Sequence, residues 1–365
     1  MDDAQDAADG SQPDAAHVLE PKGRSWVKVL IRVAVAALLV VLAVAVIRAV
    51  DWGEVWEAMR GLEPWHYLVL VLLVVVRQVF NAAPLAVFVP GLGFGRATVN
   101  DTSAAVVATV APPPSDLVIR FAMFRAWGMD LVASASGLTL NTILFYVLRF
   151  AAPVFGVVAF LAANRFDETI ALVALFSGIA AVVVAGAMML VARSERGAAW
   201  IGRTAGRLAA KARPEQVEPQ VWEEKMRGFR SQVQGQLSRG WIPASLFLIA
   251  MLAVEALQFL AALRFVGLPS SAVSAMIIIG AFCVTYLMTA LPVGGLGFLD
   301  VALYGLLIAE AGSEYEAVII AGIIIWRVTS MLIPLIIGGL MLLTFRRRNP
   351  EAEEQAAMAM DTPDE

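Results

Sequence analysis

The sequence predicts an all-α, polytopic membrane protein with six full spans and two re-entrant helical hairpins, arranged as an inverted repeat. Three observations predict it. First, the 365 residues are 59% hydrophobic with a mean hydropathy of +0.75, which marks an integral membrane protein. Second, a helix-breaking motif occurs twice in apolar surroundings. One copy reads Ala111-Pro112-Pro113-Pro114-Ser115-Asp116, followed by Arg120; the other reads Leu291-Pro292-Val293-Gly294-Gly295-Leu296-Gly297, followed by Asp300. Third, Lys and Arg gather between only some of the apolar segments, which sets the direction of each crossing.

The elements follow in order. Residues 1–20 carry six acids and no base and read as a disordered acidic tail. This is the wrong charge for a secretory signal, so the first apolar stretch, about 29–50, is expected to stay as an anchor behind Lys22, Arg24, Lys28 and Arg32. The acidic segment 51–63 reads as outside. A second span covers about 65–89, and the less apolar stretch 97–127 holds the triple proline. Spans three and four cover about 131–162 and 169–192.

Residues 193–240 form a polar insert with ten Lys/Arg and five Glu, so it reads as cytoplasmic. Within it Trp222, Met226, Phe229, Val233 and Leu237 recur at helical spacing. This fits either a helical pair beneath the bundle or a helix lying on the inner leaflet. A fifth span at about 242–265, an interrupted region 271–312 and a sixth span at about 317–345 complete the membrane domain, 21–345. Arg346-Arg347-Arg348 opens a cytoplasmic tail, 346–365, whose last 17 residues carry six acids. Setting the twelve terminal acids aside leaves 19 acids against 27 bases, so the body is basic although the formal net charge is −4. The bases are spread between spans rather than along one soluble face, which argues against nucleic acid as a partner.

Combining the inside signals, both termini and the 193–240 insert are cytoplasmic. Each interrupted region must then begin and end on one side, 97–127 inside and 271–312 outside. The halves, about 64–163 and 241–345, also align in their charges. Arg77 and Glu255 are 178 residues apart, as are Arg149 and Arg327, and Pro112 and Pro292 are 180 apart. Half one starts outside and half two inside, the architecture that places a shared site near the midplane.

The candidate site residues are the charges within or beside apolar segments: Arg77, Asp116, Arg120, Arg149, Glu255, Asp300 and Arg327. Each costs roughly 2.5–3.5 kcal/mol at a bilayer centre on insertion scales, so together they point to a polar cavity inside the bundle. Arg77 and Glu255 fit either a structural ion pair across the repeat axis or the substrate site. Arg149 and Arg327 share matching spans that contain no carboxylate, and guanidinium forks suit phosphate. Gly294, Gly295 and Gly297 fit either a backbone approach to an anionic head group or close helix packing. No nucleophile–base constellation and no Gly-Lys-Ser/Thr phosphate loop is present, so neither enzymatic activity nor a cofactor is expected. Cys283 is the sole cysteine and sits in an apolar run. His17 and His66 are too far apart to assemble a metal site.

The run from Pro292 to Asp300 resembles the signature of the lysylphosphatidylglycerol synthase/flippase transmembrane family: a proline, two glycines, an apolar residue, a glycine and an acid three positions on. Pro112 to Arg120 is similar to that family's first-half motif, with Ser115-Asp116 where Gly-Glu is usual. Trp326-Arg327 leading to Pro334 and Gly338 is similar to its last span. Asp300 stands where Glu is usual and Val293 where proline is frequent. The resemblance covers about 29–345 and implies movement of a polar-headed phospholipid or glycolipid across a bacterial inner membrane. With no aminoacyl-transferase segment following, synthase activity is not expected. The alternatives are a lipid-binding accessory that scaffolds a cell-envelope enzyme, and a proton-coupled carrier of a small anion.

Overall fold

The computed structural model describes residues 52–110, 115–165, 168–193, 219–291 and 295–349, all within one compact unit, 51–365. The predicted first span, the N-terminal tail, residues 350–365 of the C-terminal tail, the triple proline and Gly294 lie outside the described residues. Among the described residues there is no strand. The helices are α1 (Trp52–Arg60), α2 (Pro64–Phe88), α3 (Phe94–Val110), α4 (Ser115–Ala126), α5 (Leu131–Ala162), α6 (Glu168–Arg193), α7 (Pro219–Phe265), α8 (Ala275–Thr285), α9 (Phe298–Ala311) and α10 (Glu316–Arg348). Short 3-10 turns cover Tyr286–Ala290 and Ser313–Tyr315.

Five helices are long and apolar enough to cross a membrane: Pro64–Phe88, Leu131–Ala162, Glu168–Leu190, Gly240–Phe265 and Ser313–Arg348. They coincide with predicted spans two to six. The chain is therefore a multi-pass, all-helical membrane protein. In α2 the buried residues Leu70, Val74, Gln78, Ala82 and Leu85 recur every three or four positions, while Leu68, Leu72, Val75 and Val79 face outward. An apolar exposed face is what hydrocarbon requires, and the polar residue Gln78 falls on the inward stripe. In α6 the inward stripe is small, with Ala174, Ser177 and Ala181 buried, which lets helix backbones approach.

The first part of the polar insert, 194–218, lies outside the described residues. Its second half is the first part of α7, one continuous 47-residue helix that enters the membrane without a break. Pro243 lies inside it and is accommodated. Leu237, the last residue of the amphipathic stripe, is buried. The Gln236 amide donates to the Ala133 carbonyl at the start of α5 (3.1 Å). The helical period of that stripe thus belongs to a span extension.

Each interrupted region holds two apolar helices, α3 and α4 in the first and α8 and α9 in the second. In the first, the start of α3 and the end of α4 share one apolar cluster, Leu92 and Ala97 with Phe124, beside Val89 and Leu138. A second cluster joins Ala104 and Met123 to Leu342 and Phe345, near the end of α10. The region therefore enters and leaves at the end of the bundle marked by Arg346–Arg348. In the second, Arg264 at the end of α7 donates to the Leu268 and Val273 carbonyls (2.7 and 2.6 Å). The Arg165 guanidinium after α5 bonds Glu310 at the end of α9 (2.8 Å). Entry and exit there lie at the opposite end.

The two halves exchange their broken helices. Gly156 of α5 packs on α8, where an added Cβ would stand 2.9 Å from the Gly280 carbonyl oxygen. Gly338 of α10 packs on α3, where an added Cβ would stand 2.5 Å from the Thr102 carbonyl oxygen. Each long span thus grips the other half's first broken helix through a glycine, at reciprocal positions.

Candidate functional site

Near the middle of the long helices, a cavity of about 200 Å³ is lined by Arg77 (α2), Arg149 (α5), Glu255 (α7) and Arg327 (α10). Phe145, Phe282, Tyr286 and Trp326 form its aromatic walls, with Thr289, Ser330 and Met331 completing it. Helical spacing aims these side chains inward. Glu255 sits among the buried residues Met251, Leu252, Ala256 and Phe259 on one face of α7, and Trp326 packs edge-on against Phe259 and Phe282.

Arg77 Nη2 lies 3.2 Å from Glu255 Oε1, joining the two aligned charges of the halves. Only one carboxylate oxygen is used: Glu255 Oε2 is buried without a hydrogen bond, as is Arg77 Nε. Arg327 donates through Nε to Asp300 Oδ1 (2.9 Å) and through Nη2 to the same oxygen. Asp300 Oδ2 accepts from the Gly297 backbone N–H (2.9 Å). Asp300 therefore ties the start of α9 to α10.

Arg149 has no carboxylate partner among the described residues. Its guanidinium carbon lies 4.6 Å from the Phe145 ring centre and 5.4 Å from that of Tyr146, and its buried Nε has no hydrogen-bond partner. The Trp326 indole N–H is also buried without an acceptor. Polar groups in such a position normally find partners. Three unused N–H groups and one unused carboxylate oxygen thus belong to residues lining one cavity.

The remaining predicted residues are placed elsewhere. Arg120 bonds Asp101 Oδ1 (2.9 Å) and Asn100 Oδ1 (3.0 Å). Gln78 and Asn81 donate to Asp101 Oδ2 (3.1 and 2.6 Å), so this network closes on itself between α2, α3 and α4. Asn100 and Asp101 were not among the predicted residues, since 97–127 is the least apolar membrane segment and a carboxylate within it stands out little, and Gln78 and Asn81 were missed because only charged side chains were sought within the spans. Asp116 is half-buried in the first turn of α4 and does not line the cavity. Gly295 and Gly297 have φ of +73° and +82°, which only glycine adopts readily. At Gly295 the close backbone approach is internal, because an added Cβ would overlap the Met288 carbonyl. At Gly297 the space is open. Among the described residues no group of three His, Cys, Asp or Glu could hold a metal.

A multi-pass helical bundle with paired and unpaired arginines around a partly open cavity is the class that fold and site define. Within that class, the chain belongs to the family described as the lysylphosphatidylglycerol synthase TM region, whose model matches residues 29–338. No curated protein matches it.

Proposed function

We propose that this chain carries a polar-headed phospholipid or glycolipid between the leaflets of a bacterial inner membrane, binding the head group in the cavity between its halves while the tails stay in lipid. The observation that carries the reading is Arg149, a guanidinium in a cavity between long membrane helices with no carboxylate partner among the described residues. A charge there is expensive, and an anionic ligand would offset that cost. The family's description, which names the membrane region of a phospholipid synthase, supports a lipid rather than a free anion. In this reading the broken regions are re-entrant hairpins entering from opposite faces, 29–50 supplies a sixth span, and both termini are cytoplasmic. The chain performs no chemistry and needs no cofactor. The shared cavity alternates its exposure because inverted halves can exchange conformations.

The test is lipid copurifying with the protein, and lipid scrambling in proteoliposomes at matched protein amounts. Arg149→Ala should lose both. Arg149→Lys should lose most of both, because an ammonium keeps the charge without the planar fork. Wild-type levels in both variants would remove the cavity from the function. Lipid retained by wild type without scrambling would favour a lipid-binding scaffold for a cell-envelope enzyme.

A further inference from the structure

We propose that the basic end of the bundle is a docking surface for the chain's own acidic segment, residues 350–365, which follows directly on the last helix. The docking does not depend on what the cavity binds.

Three elements build the surface. Trp127, just after α4, packs edge-on against Phe345 of α10, with ring centres 5.8 Å apart. The Arg96 guanidinium of α3 lies 5.7 Å from the centre of the Trp127 ring. Arg125 lies in the last turn of α4, and Arg347 and Arg348 in the last turn of α10. All four of these arginines are exposed, and none has a carboxylate partner among the described residues. Asp130, between α4 and α5, adds one acid, whose Oδ1 accepts from the Ala133 N–H and caps α5 (2.7 Å). Four guanidiniums exceed what that carboxylate can offset. Arg96 stands in the first turn of α3, where the helix dipole disfavours a cation and favours an anion, so an acid docked there meets two attractions. Phe94 at the start of α3, 51% exposed, and the half-buried Trp127 add apolar surface among the charges.

Residues 350–365 carry six acids and no base. The acids form two groups, Glu351, Glu353 and Glu354, then Asp361, Asp364 and Glu365, around the run Ala356-Ala357-Met358-Ala359-Met360. That order, acid then apolar then acid, matches arginines set around Phe94 and Trp127, because flexible thioethers pack readily on aromatic rings. The segment begins two positions after Arg348. Its extended reach of roughly 55 Å far exceeds the ~10 Å between neighbouring helices, so every part of the surface is accessible to it. Tethering gives it a high effective concentration, so ion pairs that are individually weak act together. Residues 1–20 carry as many acids, but Lys22, Arg24, Lys28 and Arg32 follow them at once and lie much closer in sequence than the arginines of this surface.

The experiment uses the full chain on a Cys283→Ser background, with nitroxide labels at Gly95→Cys and Met358→Cys and their separation read by dipolar spectroscopy. Gly95 is exposed, and an added Cβ there meets open space. In neutral detergent at low salt the short-distance population should be about fivefold larger than in a variant whose acids are neutralised, Glu351→Gln, Glu353→Gln, Glu354→Gln, Asp361→Asn, Asp364→Asn and Glu365→Gln. It should fall to the neutralised level at about 1 M salt, where charges are screened beyond ~3 Å, and in Arg96→Gln with Arg125→Gln. The neutralised variant and the salt series leave the bundle's own residues unchanged, so they decide the matter even if the arginine variant folds poorly. Equal populations with native and neutralised acids would overturn the docking. A short distance from Gly95→Cys to Ala8→Cys, in place of Met358→Cys, would give the surface to the N-terminal acids instead. Loss of the short distance in nanodiscs rich in phosphatidylglycerol, with retention in phosphatidylcholine, would give it to the anionic leaflet.

Discussion

At the scale of single residues, the arrangement divides charges that hold the bundle from the one that is left over. Arg77 and Glu255 hold α2 to α7, at 18% and 7% side-chain exposure. Removing either partner leaves an uncompensated buried charge, which costs about 3–5 kcal/mol. Arg77→Ala should therefore lower the unfolding temperature in detergent markedly. The swap Arg77→Glu with Glu255→Arg should recover part of the loss, and additive losses in that double variant would show that the pair contributes no coupling. The glycines make a second contrast. Gly297→Ala meets open space and carries only the penalty of a left-handed residue, about 1–2 kcal/mol. Gly295→Ala carries that penalty and also drives a Cβ into the Met288 carbonyl. Its melting temperature should fall further than that of Gly297→Ala, and the reverse order would mean that the 3-10 turn at Tyr286–Ala290 yields readily.

At the scale of elements, the two broken regions are fastened differently. In the first, Asp101 and Arg120 join the arms of the hairpin to each other, and Gln78 and Asn81 join them to α2. In the second, Asp300–Arg327 and Glu310–Arg165 tie α9 to helices and loops outside its own hairpin. Breaking the first network should thus be a matter of stability. Arg120→Ala leaves Asp101 buried with amide donors but no cation, and should cost about 3–5 kcal/mol. Lipid copurification per folded protein should stay at the wild-type level. A selective loss of lipid with normal thermal stability would instead place Arg120 in the binding machinery.

At the scale of the whole molecule, the positions of the two hairpin mouths make a topological prediction. The exit of the first region clusters with the end of α10 near Arg346, and the exit of the second bonds to Arg165 at the other end. On a Cys283→Ser background, the exposed positions Ala126 and Ser313, each replaced by cysteine, should label from opposite sides of the membrane with an impermeant reagent. Ala126→Cys should react from the cytoplasmic side. Labelling of both from one side would break the inverted arrangement of the halves.

The sequence by itself determined the class and the positions of the five described spans, because those depend on local properties. An apolar run of span length has to satisfy its backbone internally as a helix, and Pro and Gly clustered within a few residues interrupt it, whereas the single Pro84, Pro153, Pro243 and Pro334 stay inside continuous helices. The equal offset from Arg77 to Glu255 and from Arg149 to Arg327 also made their matching positions in the two halves legible before any coordinates. Which charges meet was decided only by the tertiary structure. Arg327 takes Asp300 from a different element, Arg120 of α4 takes Asp101 of α3, and Arg149 takes none among the described residues. Hydropathy and spacing place a residue at a depth and on a helix face. Pairing depends on how far and at what angle separate helices approach, and glycines such as Gly156 and Gly338 set that approach through backbone contacts 124 and 236 residues away in the chain. The leftover charge at Arg149, on which the proposed function turns, emerges only once Arg77 has met Glu255 and Arg327 has met Asp300.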